Sequence, residues 1–358
     1  MTVATALIRY AHALGRYKAA WRYARVKLRQ AAQIAMVFEA WGIFRRDAGA
    51  GETGPEHDGE AIPTHTADPR RDGFLLWLAD NGQPAIADAA NLIVHILGAT
   101  RRFDTQALTL LEAARRAGES EPRSPTARLL ATYTSDDDLL TPLCTLASTV
   151  DQLRGHPAFL EVREREVRHI ASHSFSHHVP PNPGAAWALN LMMLAQSGLP
   201  TSMPWPPGLV NRALFHPDFE PEDIGLILID NATAALTRAY GIMERLEAEL
   251  TRGEEALRHL SRNSRAREAW LILAATRRIT RIQLARGLNL SRAGADIQAH
   301  ALANAGLATL SRGGHISWRA AIPIDRAASR LGNEIASLAI EFDAATAEID
   351  RLLARQSD

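Results

Sequence analysis

The chain has 358 residues, 46% hydrophobic and 22% charged, which excludes a low-hydrophobicity disordered protein and leaves room for two or three domains of roughly 100–200 residues each. Its 40 Lys and Arg are balanced by 40 Asp and Glu, so the whole protein is no electrostatic sponge for nucleic acid and any basic patch must be local. The single cysteine, Cys144, excludes an internal disulfide and a multi-cysteine metal site, and it fits a reducing cytoplasm. No stretch reads as a signal peptide, and none has the run of about 18 uncharged apolar residues that a membrane span requires. Lysine occurs only at Lys18 and Lys27 among many arginines, a codon signature of a GC-rich bacterial genome.

In chain order, residues 1–50 read as one basic amphipathic helix. Leu7, Tyr10, Leu14, Tyr17, Trp21, Ala24 and Leu28 step by three and four along one stripe, and no acid precedes Glu39. The arginines of its other faces are open to three readings: a solvated surface, an auxiliary nucleic-acid contact through Arg22, Arg25 and Arg29, or attachment to a membrane surface. Residues 51–72 are rich in Gly, Pro, Thr and acid and read as a linker. Residues 73–220 carry helical patterns throughout and form a helical domain with no role readable from motif. Residues 221–262 read as a long connecting helix, opened by the acidic first turn Pro221-Glu222-Asp223. Its seam runs through Ala239, Met243, Leu246, Leu250, Gly253, Leu257 and Leu260. A second seam, Leu331, Ile335, Leu338, Phe342, Ala345, Ile349 and Leu352, lies in a helix over residues 326–356. It is read as a homodimer interface, the alternative being packing against the first seam of the same chain.

Residues 263–320 parse more finely. Ser264 to Ala275 is a helix. Thr280 caps a second, Arg281 to Gly287, and Ser291 caps a third, Arg292 to Ala305, which Gly306 terminates. Leu307 to Leu310 and His315 to Trp318 then read as two strands joined by Ser311-Arg312-Gly313-Gly314. The run QLARGLNLSRAGADIQAHALANAGLATLSRGGHISW resembles the winged helix-turn-helix of bacterial transcriptional regulators. Ala285, Leu290-Ser291 and Ala305-Gly306-Leu307 stand at the offsets of that family. With the helical N-terminal and middle regions and the long flanking helices read from periodicity, the expected fold is mainly α. The resemblance covers about a sixth of the chain and implies a C-terminal winged helix-turn-helix between those long helices. It also implies double-stranded DNA as partner, with Arg292, Gln298 and His300 on the reading helix, Arg312 and His315 on the wing, and Arg277 and Arg281 near the phosphates. A homodimer would set two reading helices about 34 Å apart.

A different chemistry is suggested by Glu164 to His178. On a continuous helix His169, His173 and His177 would stack at i, i+4 and i+8, and Glu166 would add a Glu-x-x-His pair, as in helical metal sites. Further carboxylates would have to come from elsewhere, Asp136, Asp137 and Asp138 being the nearest dense acids. This supports an alternative, a metal-dependent helical enzyme or sensor; a third reading is a protein-interaction adaptor. No phosphate-binding loop, dinucleotide fingerprint, nucleophile elbow or zinc-protease motif is found, so no enzyme is assigned and no cofactor is expected. The leading expectation is a cytoplasmic, homodimeric DNA-binding regulator of transcription or replication. If residues 331–352 form the dimer seam, Ile335→Asp with Phe342→Asp should yield monomers by sedimentation; an unchanged profile would remove that interface.

Overall fold

A computed structural model describes residues 3–48, 69–98, 105–119, 124–132, 140–159, 167–170, 173–176, 183–195, 203–215, 219–261 and 264–320. The chain is mainly α. In order come α1 (Val3–Tyr23), α2 (Val26–Ala48), α3 (Pro69–Asn81), α4 (Pro84–Leu97), α5 (Thr105–Gly118), α6 (Pro125–Ala131), α7 (Thr141–Leu153), β1 (Val167–Ile170), β2 (His173–Ser176) and α8 (Pro183–Ala195). A 3-10 turn, Arg212–Phe215, leads to α9 (Pro221–Ala256), α10 (Ala266–Thr276), β3 (Arg278–Thr280), α11 (Arg281–Gly287), α12 (Arg292–Asn304), β4 (Ala308–Leu310) and β5 (His315–Trp318). None of the described helices is long and apolar enough to cross a membrane.

The N-terminal helix is two helices rather than one, broken at Ala24 and Arg25. The apolar stripe of α1 buries Tyr10, Leu14, Tyr17 and Trp21 against α9. The next segment is apolar on nearly every side, since Ala31, Ala32, Ile34, Ala35, Met36 and Val37 are all buried. Such a helix has to be surrounded. The break turns α2 into the molecule, where α4, α8, α9 and α10 enclose it. At the break Arg25 bridges to Glu247 and Glu254 of α9, each at 3.0 Å, and Arg29 donates to the carbonyl of Arg22. Two of the three arginines proposed for nucleic-acid contact are thus engaged within the protein.

Helix α9 is a spine rather than a connector. A reciprocal capping box opens it, the Glu220 carboxylate accepting from the Asp223 amide and the Asp223 carboxylate accepting from the Glu220 amide. The helix packs on α1, α2, α6, α7 and α10. Its seam, from Ala239 through Met243, Leu246 and Leu250 to Gly253, is buried by the chain's own helices. The chain through Arg319 forms one compact unit, so the boundary at residue 263 is one of sequence pattern and not of packing. The linker of 51–68 and the seam of 331–352 lie outside the described residues, and α3 begins at Pro69, within the expected linker.

The histidine segment also departs from expectation. Val167–Ile170 and His173–Ser176 are antiparallel strands, with His169 paired to Ser174 and Ile170 to His173. The alternating His-Ser-Phe-Ser and the β-branched Val167 and Ile170 suit a ribbon better than a helix. The i, i+4, i+8 stack therefore has no helix to stand on. Glu166, His177 and Asp136 to Asp138 lie outside the described residues, among which no three His, Cys, Asp or Glu side chains gather as a metal site.

One buried amide organises the proline-rich loop. Asn190, fully buried on α8, donates to the Val210 carbonyl at 2.8 Å and accepts from the Gly208 and Val210 amides at 3.1 Å. Replacing it by Leu keeps the volume but orphans three backbone groups, each worth about 1–3 kcal/mol when buried unpaired. Asn190→Leu should lower stability by about 3 kcal/mol or more in urea denaturation, whereas Thr132→Val, whose exposed hydroxyl bonds only its own turn, should change it little.

Candidate nucleic-acid interface

The residues singled out between Arg277 and His315 sit on a small unit of three helices and a three-stranded sheet. It begins with α10, whose residues Trp270 to Thr276 are all buried. The Trp270 indole N–H donates to the Glu249 carbonyl of α9 at 2.9 Å, and the ring lies over Gly253, where any Cβ would strike it. The opposite requirement ends the helix: Arg277 takes φ +65°, a left-handed conformation that a side chain adopts only under tertiary constraint. The constraint is visible in the hydrogen bonds, since the Arg277 amide donates to Leu273 and its carbonyl accepts from the Trp318 amide, both at 2.7 Å.

Strand β3 follows at once and was not anticipated from the pattern. Three residues with one buried Ile279 are too short to show alternation. The sheet order is β3-β5-β4, with Ile279 opposite Ile316 and Leu310 opposite Ile316 on the other edge. Both expected caps form. Thr280 accepts from the Gln283 amide at 3.2 Å, and the Gln283 side-chain oxygen in turn accepts from the Thr280 amide at 2.8 Å. Ser291 accepts from the Gly294 amide at 3.1 Å. The Leu302 carbonyl accepts from Leu307 and the Ala303 carbonyl from Gly306, at φ +72°, so that α12 ends in a paired, left-handed turn. In the hairpin tip the His315 amide donates to the Ser311 hydroxyl, and the Gly314 carbonyl accepts from the Arg281 amide at 3.0 Å, which ties the tip to the start of α11.

The named side chains fall into groups. The β3–β5 pairing sets Thr280 opposite His315, and the Arg281 amide bonds the hairpin tip, so Arg281 and His315 stand near the start of α11, whereas the Arg277 guanidinium lies by the Trp318 ring. Arg281 is half-buried and faces Asp296 of α12 at 3.3 Å, so its charge is partly compensated. Arg292 and Arg312 are exposed. Gln298 is half-buried with its amide oxygen accepting from Ser264, which directs it into the unit and away from an outward reading position. His300 is exposed, its Nδ1 2.8 Å from the Asp296 carbonyl. Along the outer side of α12, Arg292, Ala293, Ile297, His300 and Asn304 are exposed, with Ile297 66% accessible; Ile282 on α11 is 49% accessible. These two isoleucines were not singled out from sequence, because their spacing also suits a buried stripe.

Packing frees this side of α12. Among the described residues α12 is held by α10, α11 and β4, whereas α11 leans on α4 and α10 on α2 and α9. A shallow groove of about 490 Å³ runs along it, between His259 and Leu260 on one wall and Ile297, His300 and Asn304 on the other. Behind the sheet, the Trp318 ring has two guanidinium neighbours, Arg245 of α9 and Arg277, each 6.0 Å from its centre. Burial, and then the nearby Arg277 charge, push Arg245 down to about 10, against the pull of Glu249. Arg245 donates to the Ala274 carbonyl, so it joins α9 to α10 rather than projecting to solvent.

No protein-family model, curated protein or solved structure matches this chain. The seat of the unit is directly testable. Gly253→Ala forces a methyl into the Trp270 indole, and overpacking of this kind costs about 1–3 kcal/mol. The variant should unfold at correspondingly lower urea, and Gly241→Ala, where a methyl meets open space, should not.

Proposed function

We propose that residues 264–318 are a winged helix-turn-helix that binds double-stranded DNA, with α12 as the reading helix and the Ser311–Gly314 hairpin as the wing, in a regulator of transcription or replication. The observation that carries this reading is the placement of α12: a helix capped at both ends, packed on one side by its own unit, and open along the other among the described residues. Its size matches a major groove, which admits one α-helix. Exposed Arg292 at the amino end of α12 and Arg312 at the hairpin tip supply charge for phosphates or a guanine edge.

The electrostatics predict a modest binder per copy. The reading face has one arginine, and Asp296 answers Arg281. Phosphate neutralisation supplies much of the affinity of such modules, so a single copy with few free cations binds weakly and two copies are needed. We therefore retain a homodimer in the proposal, with half-sites about one duplex turn, 34 Å, apart. The exposed Ile282 and Ile297 favour a second reading, in which the same face receives a protein and the chain is an adaptor.

Salt dependence separates the two. A gel shift with genomic fragments should weaken steeply as salt rises; absence of a shift at low salt removes the DNA reading. Arg292→Ala and Arg312→Ala should each reduce the slope of log affinity against log salt by about one. Asp296→Asn should act oppositely, tightening binding several-fold by releasing Arg281. A protein partner on the isoleucine face would instead be lost in Ile297→Asp with little response to salt.

A further inference from the structure

The outer side of α12 is poor in polar groups for a helix that reads a duplex. Ala293, Ile297, His300 and Asn304 recur at i, i+4, i+7 and i+11, so they form one stripe, and all four are exposed. The stripe is narrow, because Gly294, Asp296 and Ala301 on its flanks are half-buried. Its prominent member is Ile297, 66% accessible. Asp296 beside it faces Arg281 at 3.3 Å, and the His300 ring is turned back along the helix, its Nδ1 2.8 Å from the Asp296 carbonyl. Ala293, one turn earlier, presents only a methyl group. The middle of the stripe therefore offers carbon. An isoleucine in this place does not help the helix, since exposed helical positions favour alanine and straight-chain residues over β-branched ones. The same branching holds Ile297 in one preferred rotamer before any ligand arrives, so little side-chain entropy is lost when it is covered.

We infer that Ile297 reads a thymine through its C5-methyl group where α12 enters the major groove; the assignment rests on the DNA reading proposed above. Only thymine carries an apolar group on its major-groove edge. The other bases present ring nitrogens, carbonyl oxygens or amino groups there, which an aliphatic side chain strips of water and leaves unpaired. Ile297 thus favours thymine by contact and disfavours the other bases at the same position by desolvation. The exposed cations lie away from the middle of the stripe, Arg292 at the amino end of α12 and Arg312 at the hairpin tip, and suit phosphates or a flanking base. A protein partner is the poorer fit to this stripe: an interface of standard size takes about 20–30 residues a side, and the stripe presents Ala293, Ile297, His300 and Asn304.

The test uses the full chain and a genomic fragment amplified with either dTTP or dUTP. The second removes every thymine methyl group and keeps the base pairing. The unaltered protein should bind the thymine duplex about fourfold or more tightly than the uracil duplex, the gain from burying one methyl group. Ile297→Ala should weaken binding to the thymine duplex while changing uracil binding little, so that the ratio of the two affinities falls to about one, as expected when the partner of the methyl group is gone. Ile297→Val, which stays branched, should keep most of the ratio. Because Ile297 is exposed, both variants should unfold at the urea midpoint of the unaltered protein, which identifies the loss as one of contact. Equal binding of the two duplexes by the unaltered protein overturns the inference and leaves the DNA reading standing. A ratio that survives undiminished in Ile297→Ala also overturns it, since the methyl groups then act through another residue or through duplex shape. Failure to shift either duplex at low salt removes the DNA reading itself, and the assignment with it.

Discussion

The seating of Trp270 on α9 is the contact on which the arrangement of the second half depends. An indole needs both an apolar bed and a partner for its N–H, and α9 supplies both within one turn: the bare backbone of Gly253 and the carbonyl of Glu249. That contact places α10 between α9 and α2, and the rest of the small unit follows from α10 by local means. Arg277 reverses the chain, β3 pairs with β5, and the caps at Thr280 and Ser291 start the next two helices. The result is a unit anchored through its first two helices, with its third helix turned outward.

Charge is distributed in keeping with this division. The zero net charge hides a structure in which many arginines answer acids on neighbouring helices, as Arg25 answers Glu247 and Glu254 and Arg238 answers Glu39. These pairs are largely exposed and each contributes at most about 1 kcal/mol, so they orient helices more than they stabilise them. The cations that matter for the proposed recognition are the exposed Arg292 and Arg312 on the small unit. The proposed function rests on local charge rather than on a global excess.

Two elements show how pattern and packing diverge. A continuous stripe from Leu7 to Leu28 describes one helix well, yet the chain turns at Ala24 because the following segment, from Ala31 to Val37, is apolar on nearly every side and is enclosed only by folding back. A stripe reports that one side is buried, and it does not report whether the helix that bears it can remain straight. In the histidine segment, spacing by four is compatible with a helix but gives no helix without the residues between favouring one, and His-Ser-Phe-Ser alternates as a strand does.

The amino-acid sequence alone determined the helical class and most element boundaries of the small unit, including both caps, the Gly306 terminator and the hairpin. Each of these is closed by hydrogen bonds spanning only a few residues, so the groups that make the bond are neighbours in the sequence as well. Tertiary structure alone decided what each side chain does there. Gln298 turns toward Ser264, Arg281 meets Asp296, Arg245 lies beneath Trp318, and Arg9 and Arg16 share a groove with α9. Those outcomes depend on partners brought from 15 to more than 200 positions away. A linear pattern carries the burial periodicity of an element, but not the identity of the group that burial sets against it.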